Sequence, residues 1–451
     1  MRSWGAFVLA MLGLAVLAGC TPSNIPKGPD KPYQVGGQPS SPALGSALPF
    51  GGTRYSNDSL ADVFVRLTHD LEWGASRPHL VRYEVPISVG ISGRAAGQYI
   101  TFVDRFLAQL RTRTGIRIAR NSGPHNLNIR FVPGNAFRTR VPQNSCLVAP
   151  GDLAWSTFQS SPSRYGTKAY ESQRALRAMT VFIPDNAEPW LVRICLIEEI
   201  IQALGTANDL FGLGPSIFND DGAHLWPTSL DYLMLRVLYS PELRTGMSRR
   251  QTRLRARQIL DRLNPQGRDA IALPRIVQRR MKVWQEAILA AFERGATRTT
   301  RIKSARQAVT IARRQVPNSA YHCHALNTLA RNARSTQNGA ALRAANDGLR
   351  VCAAAHGASD IRVTILQLER ATLLFEAGQA TAAFAETRGL ERALAAHAQE
   401  ERLTALYALQ AASLRAIQRS EDSFAARRKA AAWGAFALGR GHPDVRRWIA
   451  N

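Results

Sequence analysis

The chain has 451 residues, 45% of them hydrophobic, so it is long and apolar enough to form two or more packed domains. Its 58 lysines and arginines exceed its 33 aspartates and glutamates by 25, which favours contact with anionic surfaces and polymers. The five cysteines include no C-x-x-C spacing, which excludes the common redox and zinc motifs built on that spacing.

The first twenty residues are organised like a lipoprotein signal peptide. Arg2 supplies a positive charge, Gly5 to Leu14 form an apolar segment too short to span a bilayer, and Leu17-Ala18-Gly19-Cys20 is a lipobox. We expect cleavage before Cys20, whose thiol then carries the lipid that anchors the mature protein. The competing interpretation is an ordinary secretory peptide with a chance cysteine.

The residues after Cys20 indicate where the protein resides. Thr21 follows the cysteine and no aspartate comes next, which favours the outer membrane with the protein facing the periplasm; the periplasmic face of the inner membrane is the alternative. Residues 20–57 are rich in Pro, Gly and Ser and predict a flexible tether behind the lipidated cysteine.

Residues 198 to 205, Glu-Glu-Ile-Ile-Gln-Ala-Leu-Gly, have the spacing of the zinc-peptidase helix H-E-x-x-H-x-x-G. In that motif the two histidines hold the metal and the glutamate is the general base. Here Glu198 and Gln202 occupy the two ligand positions, Asn208 occupies a third, and Glu199 occupies the position of the base. Because a glutamine amide is a weak zinc ligand, we expect no metal and no cofactor at this helix.

Two other interpretations of this helix remain open. An all-oxygen set of Glu198, Gln202, Asn208 and Asp209 suits calcium better than zinc. Alternatively, the helix is simply amphipathic, with Glu198, Glu199 and Gln202 facing solvent or capping neighbouring groups.

Alternation and helical spacing predict an α+β domain around this helix. The order strand, helix, strand, strand, strand, helix is that of the upper domain of a zincin. The predicted strands cover 84–89, 116–118, 126–131 and 180–183, and the predicted helices cover 98–113 and, after a turn at 216–219, 229–239.

Residues from about 60 to 255 resemble a family of bacterial lipoprotein domains known only as a domain of unknown function. That family has an E-E-x-x-Q-x-L-G-x-x-N-D segment followed by L-D-x-L-x-L-x-x-L-Y-x-P-x-L-x-x-G-M. The resemblance implies a metallopeptidase-like frame and no particular activity. The matching residues are Glu198, Glu199, Gln202, Leu204, Gly205, Asn208, Asp209, Asp231, Leu233, Leu235, Leu238, Tyr239, Pro241, Leu243, Gly246 and Met247.

The four cysteines after Cys20 fall as one pair in each half of the chain. Three pairings are arithmetically open, and pairing within each half, Cys146 with Cys195 and Cys323 with Cys352, needs no contact between the halves. An oxidising compartment favours disulfides over buried free thiols.

The second half is rich in alanine and predicts an all-α domain of tetratricopeptide-like repeats. A weak 41-residue period aligns Ala330, Ala371 and Ala412, and predicts helical hairpins at about 318–355, 359–397 and 400–438. A helical bundle without repeats is the alternative. The predicted organisation is a signal peptide at 1–19, the lipidated tether at 20–57, a zincin-like domain at 58–255, a basic helical connector at 256–317 and helical repeats at 318–451.

These features favour a non-catalytic, membrane-anchored envelope protein, whose zincin-like domain is a binding scaffold and whose repeats hold a protein or peptide partner. The basic surface suits anionic envelope polymers, and the lipid anchor argues against nucleic acid. The alternative is a hydrolase acting on cell-wall glycan or peptide, with Glu199 as general base and Glu198, Asp209 or Asp231 as second carboxylate. Against it, Glu198 and Glu199 are adjacent and point about 100° apart on a helix. An atypical metallopeptidase is the third hypothesis.

Overall fold

The computed structural model describes residues 55–72, 74–142, 144–269, 278–293 and 295–450. The predicted signal peptide, Cys20 and the tether up to residue 54 lie outside these ranges, as do residues 275–277 of a basic run noted at 275–282. Within the described ranges, no helix combines the length and apolar character needed to cross a bilayer.

The N-terminal part is built on a mixed five-stranded sheet, whose strands are β1 (Ile87–Ser92), β2 (Ile118–Arg120), β3 (Leu127–Val132), β4 (Leu147–Pro150) and β5 (Met179–Pro184). They lie in the order β2-β1-β3-β5-β4. The first three pairings are parallel, with Val89 opposite Leu127 and Ile129 opposite Val181. The edge strand β4 runs antiparallel to β5.

All four predicted strands are present, with ends displaced by up to three residues. The first begins at Ile87 and not at Glu84, because Pro86 has no N–H for a ladder and the Glu84 carboxylate instead accepts from Arg82 and from the Thr245 backbone N–H. The prediction missed β4, whose four residues are too few to show an alternating pattern.

Helices cover the sheet and share one apolar core with it. The α7 helix packs on β4 and β5 and carries the Glu-Glu-x-x-Gln segment. The helices of this part are α1 (Asn57–His69), α2 (Ile100–Thr114), α3 (Gly134–Arg140), α4 (Trp155–Ser160), α5 (Pro162–Tyr165), α6 (Thr167–Ser172), α7 (Pro189–Ala203), α8 (Ser229–Leu238) and α9 (Arg249–Leu263), with 3-10 turns at Ala96–Gln98, Ile217–Asn219 and Pro265–Gly267.

Helix α7 ends at a turn that requires glycine. Gly205 has φ +120°, and a Cβ on it would lie 2.7 Å from the Val81 carbonyl oxygen. The chain therefore leaves the helix with a backbone conformation and a close approach that other residues do not allow.

Much of the first basic run is paired within the protein. On α9, which packs against α1, Arg253 pairs with Asp62 at 2.6 Å and Arg249 pairs with Asp70 at 2.7 Å. These arginines join α9 to α1 and to the residue after it, so they contribute less free positive surface than their number indicates.

The C-terminal part is all helical, as predicted. Its hairpins follow the predicted boundaries closely, except that the second arm of the middle hairpin is divided at Gly389, which has φ +81°. The helices are α10 (Gln278–Ala291), α11 (Arg298–Gln315), α12 (Ala320–Ala333), α13 (Asn338–His356), α14 (Ile361–Glu376), α15 (Ala380–Thr387), α16 (Leu390–Ala396), α17 (Glu400–Ala416), α18 (Ser420–Ala437) and α19 (Pro443–Ala450).

Small residues allow these helices to approach each other closely. Ala330 and Ala371 are fully buried, and a Cβ on Gly348 of α13 would lie 3.0 Å from the Leu366 side chain of α14. We call α10 to α19 the helical array.

Both disulfides join the predicted pairs. Cys146, next to β4, is bonded to Cys195 in the middle of α7, with 5.9 Å between their Cα atoms. Cys323 on α12 is bonded to Cys352 on α13, with 4.8 Å between their Cα atoms.

Candidate functional site

A pocket beside α7 contains three glutamates and encloses about 370 Å³ of space free of protein atoms, part of it open to solvent. Its walls are the side of α7, the start of β4, the loop after α1 and a tyrosine of α6. We call it the glutamate pocket; its lining residues are Glu72, Asn144, Cys146, Leu147, Val148, Tyr170, Glu198, Glu199, Gln202 and Ala207.

The fold explains why polar residues of α7 face a cavity and not bulk water. Ile200, Ile201 and Ala203 of this helix are fully buried in the core, which fixes its rotation. The Cys146–Cys195 disulfide then holds the start of β4 against the same helix, so Cys146 itself forms part of the pocket wall.

Glu72 and Gln202 meet across the pocket. The Gln202 side-chain amide donates to a Glu72 carboxyl oxygen at 3.3 Å. Burial raises the pKa of the Glu72 carboxyl, and the hydrogen bond from Gln202 opposes this shift.

The two glutamates of the motif also hold their protons strongly. Burial and, to a smaller extent, the neighbouring Glu72 raise the pKa of Glu198 to about 8. Burial followed by the charges of Glu198 and Glu72 raises the pKa of Glu199 well above its ordinary value. Glu199 is 4% exposed, and within the described part of the chain its carboxyl has no hydrogen bond and no ion pair.

Two aspartates of the segment after α7 add to this negative region. Burial raises the pKa of both Asp209 and Asp220, and the glutamates of the pocket contribute further increases. Asp220 has the left-handed φ of +51°, and its Oδ1 is buried without a hydrogen-bond partner among the residues that the structure describes.

The structure separates the other predicted site residues from the pocket. Asp231 is fully buried and caps α8: it accepts from the Thr228 backbone N–H at 2.6 Å and from the Ser216 hydroxyl at 2.5 Å. Asn208 donates to the Arg66 carbonyl oxygen at 3.1 Å. Both residues therefore have structural partners.

Two expectations about the motif need correction. Glu199 and Gln202, 4% and 9% exposed, do not face solvent, since the pocket lies inside the domain. Glu198 and Glu199 do reach one site, because the pocket wraps around the side of the helix and both line it. Sequence reasoning missed Glu72, Tyr170, Asn144 and Asp220, which occur in short loops and a short helix with no motif of their own.

The arrangement places several carboxyl groups with raised pKa values in one pocket. Among the described residues, no three or more His, Cys, Asp or Glu side chains are grouped as metal ligands would be. The carboxyls are close enough to raise one another's pKa, and a cationic group entering the pocket would displace their protons.

Comparison with known proteins gives one match. No curated protein and no solved structure is similar to this chain at a significant level. The model of a family described as "Protein of unknown function (DUF2927)" matches residues 57–258, which is less than half of the chain and includes every residue that lines the glutamate pocket. The domain that carries this pocket is therefore similar to a family whose function is unknown.

Proposed function

We propose that this protein is a lipid-anchored, periplasm-facing lipoprotein that binds a protein or peptide partner without catalysis, and that the glutamate pocket receives an amino group of that partner. The lipobox ending at Cys20 supports the anchor. The order of strands and helices before α7 supports the proposed likeness to a zincin frame kept as a scaffold.

The unpaired Glu199 carboxyl is the observation that supports a cationic ligand. A carboxyl this deeply buried keeps its proton in the absence of a ligand, and a cation or hydrogen-bond donors entering the pocket would allow it to ionise. In a protein with an excess of 25 positive charges, Glu72, Glu198 and Glu199 all lack a cationic side chain as ion-pair partner within the described residues.

An ammonium group suits this pocket well. It brings one positive charge and three N–H donors, and carboxylate, amide and phenol oxygens are all among the lining groups.

Calorimetry with two matched peptides tests this function on the mature full-length protein. Both tripeptides are acetylated at the N-terminus; one carries an unmodified lysine and the other carries the same lysine acetylated on its side chain. We expect only the unmodified peptide to bind, and Glu199→Gln to weaken it about tenfold or more, because a charge-assisted hydrogen bond is worth about 1.5–3 kcal/mol.

Glu421→Gln is the matched control, since Glu421 is exposed on α18 in the helical array. It should leave the affinity unchanged. Equal binding of the two peptides, or equal effects of the two substitutions, would contradict an amino-group receptor.

A second candidate, a carboxylate-dependent hydrolase of cell-wall glycan or peptide, is favoured by the pairing of Glu198 and Glu199 in one pocket. Burial raises the pKa of both carboxyls, so in this candidate one of them is the general acid, and the other must lose its proton to be the base. Loss of wall-fragment release in both Glu198→Gln and Glu199→Gln, with release by the wild type, would establish this activity.

A further inference from the structure

The first helices of two successive hairpins, α12 and α14, hold a segment of the chain itself. The Tyr321 hydroxyl of α12 donates to the Phe211 carbonyl oxygen at 2.5 Å, and Arg362 of α14 pairs with Asp221 at 2.6 Å. Both contacts reach the segment between α7 and α8, residues 204–228, which we call the inter-helix loop. Because these first helices are engaged inside the protein, the second helices of the hairpins offer more surface to an outside partner.

Helix α18, the second helix of the last predicted hairpin, exposes a phenylalanine. It packs on α17 and α19, and the Phe436 carbonyl oxygen in its last turn accepts from Arg193 of α7 at 3.1 Å. Near its start, Phe424 is 49% exposed and is the one aromatic among the exposed large hydrophobic side chains of the described residues. A single exposed apolar side chain is ordinary in a folded protein, and the surroundings of Phe424 distinguish it.

Two guanidinium groups flank the Phe424 ring. Arg427 and Arg428 follow it by three and four residues on the helix, and their Cζ atoms lie 5.0 Å and 5.2 Å from the ring centroid. The same pairing occurs at the N-terminus of α18, where the Arg419 Cζ lies 5.6 Å from the centroid of the Phe384 ring of α15. We call these five residues the basic-aromatic surface.

Positive charge prevails around the basic-aromatic surface. Residues 415–429 include five basic and two acidic side chains. Asp422 pairs with Arg419 at 2.6 Å, Glu421 is exposed, and Lys429 adds an exposed positive charge. This part of the array therefore presents an apolar ring and a net positive charge together.

We propose that the basic-aromatic surface binds the surface of a bilayer that contains anionic phospholipids. Guanidinium groups form paired hydrogen bonds with phosphate oxygens, and a phenyl ring between them can enter the boundary between headgroups and acyl chains. An acidic peptide would satisfy the arginines but offers no apolar layer to Phe424. The proposed anchor at Cys20 would keep a bilayer close to this surface. The inference goes beyond the proposed function, because the glutamate pocket takes no part in it.

Cosedimentation with vesicles tests this surface on the mature full-length protein with Cys20→Ser, so that no lipid on that cysteine contributes. We expect binding to vesicles of equal parts phosphatidylcholine and phosphatidylglycerol, no binding to phosphatidylcholine alone, and weaker binding as salt is added. Joint Arg427→Gln and Arg428→Gln substitution should weaken binding about fivefold for each charge removed. Phe424→Ala should weaken it about tenfold at unchanged charge.

Joint Arg313→Gln and Arg314→Gln substitution is the matched control. These two arginines are also consecutive, and both are exposed in the last turn of α11. They remove the same charge at another place on the array, and the effect should stay below about twofold because salt screens charges beyond about 8 Å. Equal losses in the two double variants would show attraction by total charge and overturn the proposal, as would a wild type that does not bind the anionic vesicles.

Two further measurements decide the role of the ring. Phe424→Leu, which keeps an apolar side chain, should retain most of the vesicle binding, and vesicle binding that Phe424→Ala leaves unchanged would overturn the proposal. Soluble oligoglutamate separates a bilayer from an acidic protein: if Phe424→Ala weakens its binding as much as that of the vesicles, the surface is a protein site and the proposal is wrong. Binding of the lysine tripeptide should be the same in all these variants, so this proposal and that for the glutamate pocket can fail separately.

Discussion

Gln202 of α7 donates a hydrogen bond to Glu72, 130 residues earlier in the chain, and this contact connects the motif helix with the loop after α1. It lies in a pocket lined by three glutamates whose carboxyls form no ion pair with a cationic side chain of the described residues. Because the pKa values of these carboxyls are raised in the folded protein, the free energy of unfolding should depend on pH.

The stability of the protein should carry a contribution from Glu198 that falls as the pH rises. Its folded-state pKa is about 8 against 4.5 for the ordinary group, so the folded protein keeps a proton that the unfolded chain releases. The contribution is fully present below about pH 4.5 and is lost as the pH rises through about 8, with a slope of at most about 1.4 kcal/mol per pH unit. Urea unfolding of Glu198→Gln should therefore show a flatter profile in this window, whereas Glu421→Gln should follow the wild type. Parallel wild-type and Glu198→Gln profiles would rule out the raised pKa.

Two buried histidines at the contact between loop and array should make that contact sensitive to acid. Burial lowers the pKa of His224 to about 3 and that of His324 to about 4. Each contribution is present above about pH 6.5 and is lost as the pH falls through the folded-state pKa, because the unfolded chain takes up protons first. We expect His324→Leu to lose less stability than the wild type between pH 6.5 and 4.5, measured by urea unfolding. The control His125→Gln should lose as much stability as the wild type over this pH range. An equal loss in His324→Leu and the wild type would show that His324 is not the acid-sensitive group.

Gly205→Ala should destabilise the fold. The substitution places a Cβ 2.7 Å from the Val81 carbonyl oxygen at a residue with φ +120°. Both the contact and the backbone strain raise the energy of the folded state, by about 2 kcal/mol or more. Thermal unfolding of Gly205→Ala can be compared with that of Gly97→Ala, where a Cβ meets no atom within 4 Å. Equal melting temperatures for the two variants would show that the α7 turn tolerates a side chain.

Removal of the Cys146–Cys195 disulfide should affect both stability and the pocket. The chain-entropy relation for a sequence separation of 49 gives a loss of about 4 kcal/mol for the Cys146→Ser, Cys195→Ser variant. Because Cys146 lines the pocket, tripeptide binding should weaken as well. The control is the variant that lacks Cys323 and Cys352, which are 29 positions apart. It should lose about 3.5 kcal/mol of stability. Its affinity for the tripeptide should not change at a temperature where both variants are folded. Similar affinities in the two variants would show that the first disulfide does not shape the pocket.

Periodic segments could be predicted from the sequence because their signals are local. The helix spacing at Val103, Phe106 and Leu110 and the alternation at Leu127 and Ile129 report directly which side chains are buried. The sequence analysis missed strand β4 and the break between α15 and α16 at Gly389. A four-residue strand and a single left-handed residue give too little pattern to recognise.

The sequence by itself predicted most of the elements, favoured the two disulfide pairings and contained the unusual Glu-Glu-x-x-Gln segment, because each of these depends on spacing along the chain. Only the tertiary structure decided that Glu72 joins Glu198 and Glu199 in one pocket, and that Arg362 of the helical array pairs with Asp221 of the loop between α7 and α8. The physical reason is that burial and charge proximity arise when distant segments pack together. A glutamate near solvent and a glutamate in a pocket with other carboxyls are the same residue in the sequence. Their pKa values differ only because of how the folded chain packs around them.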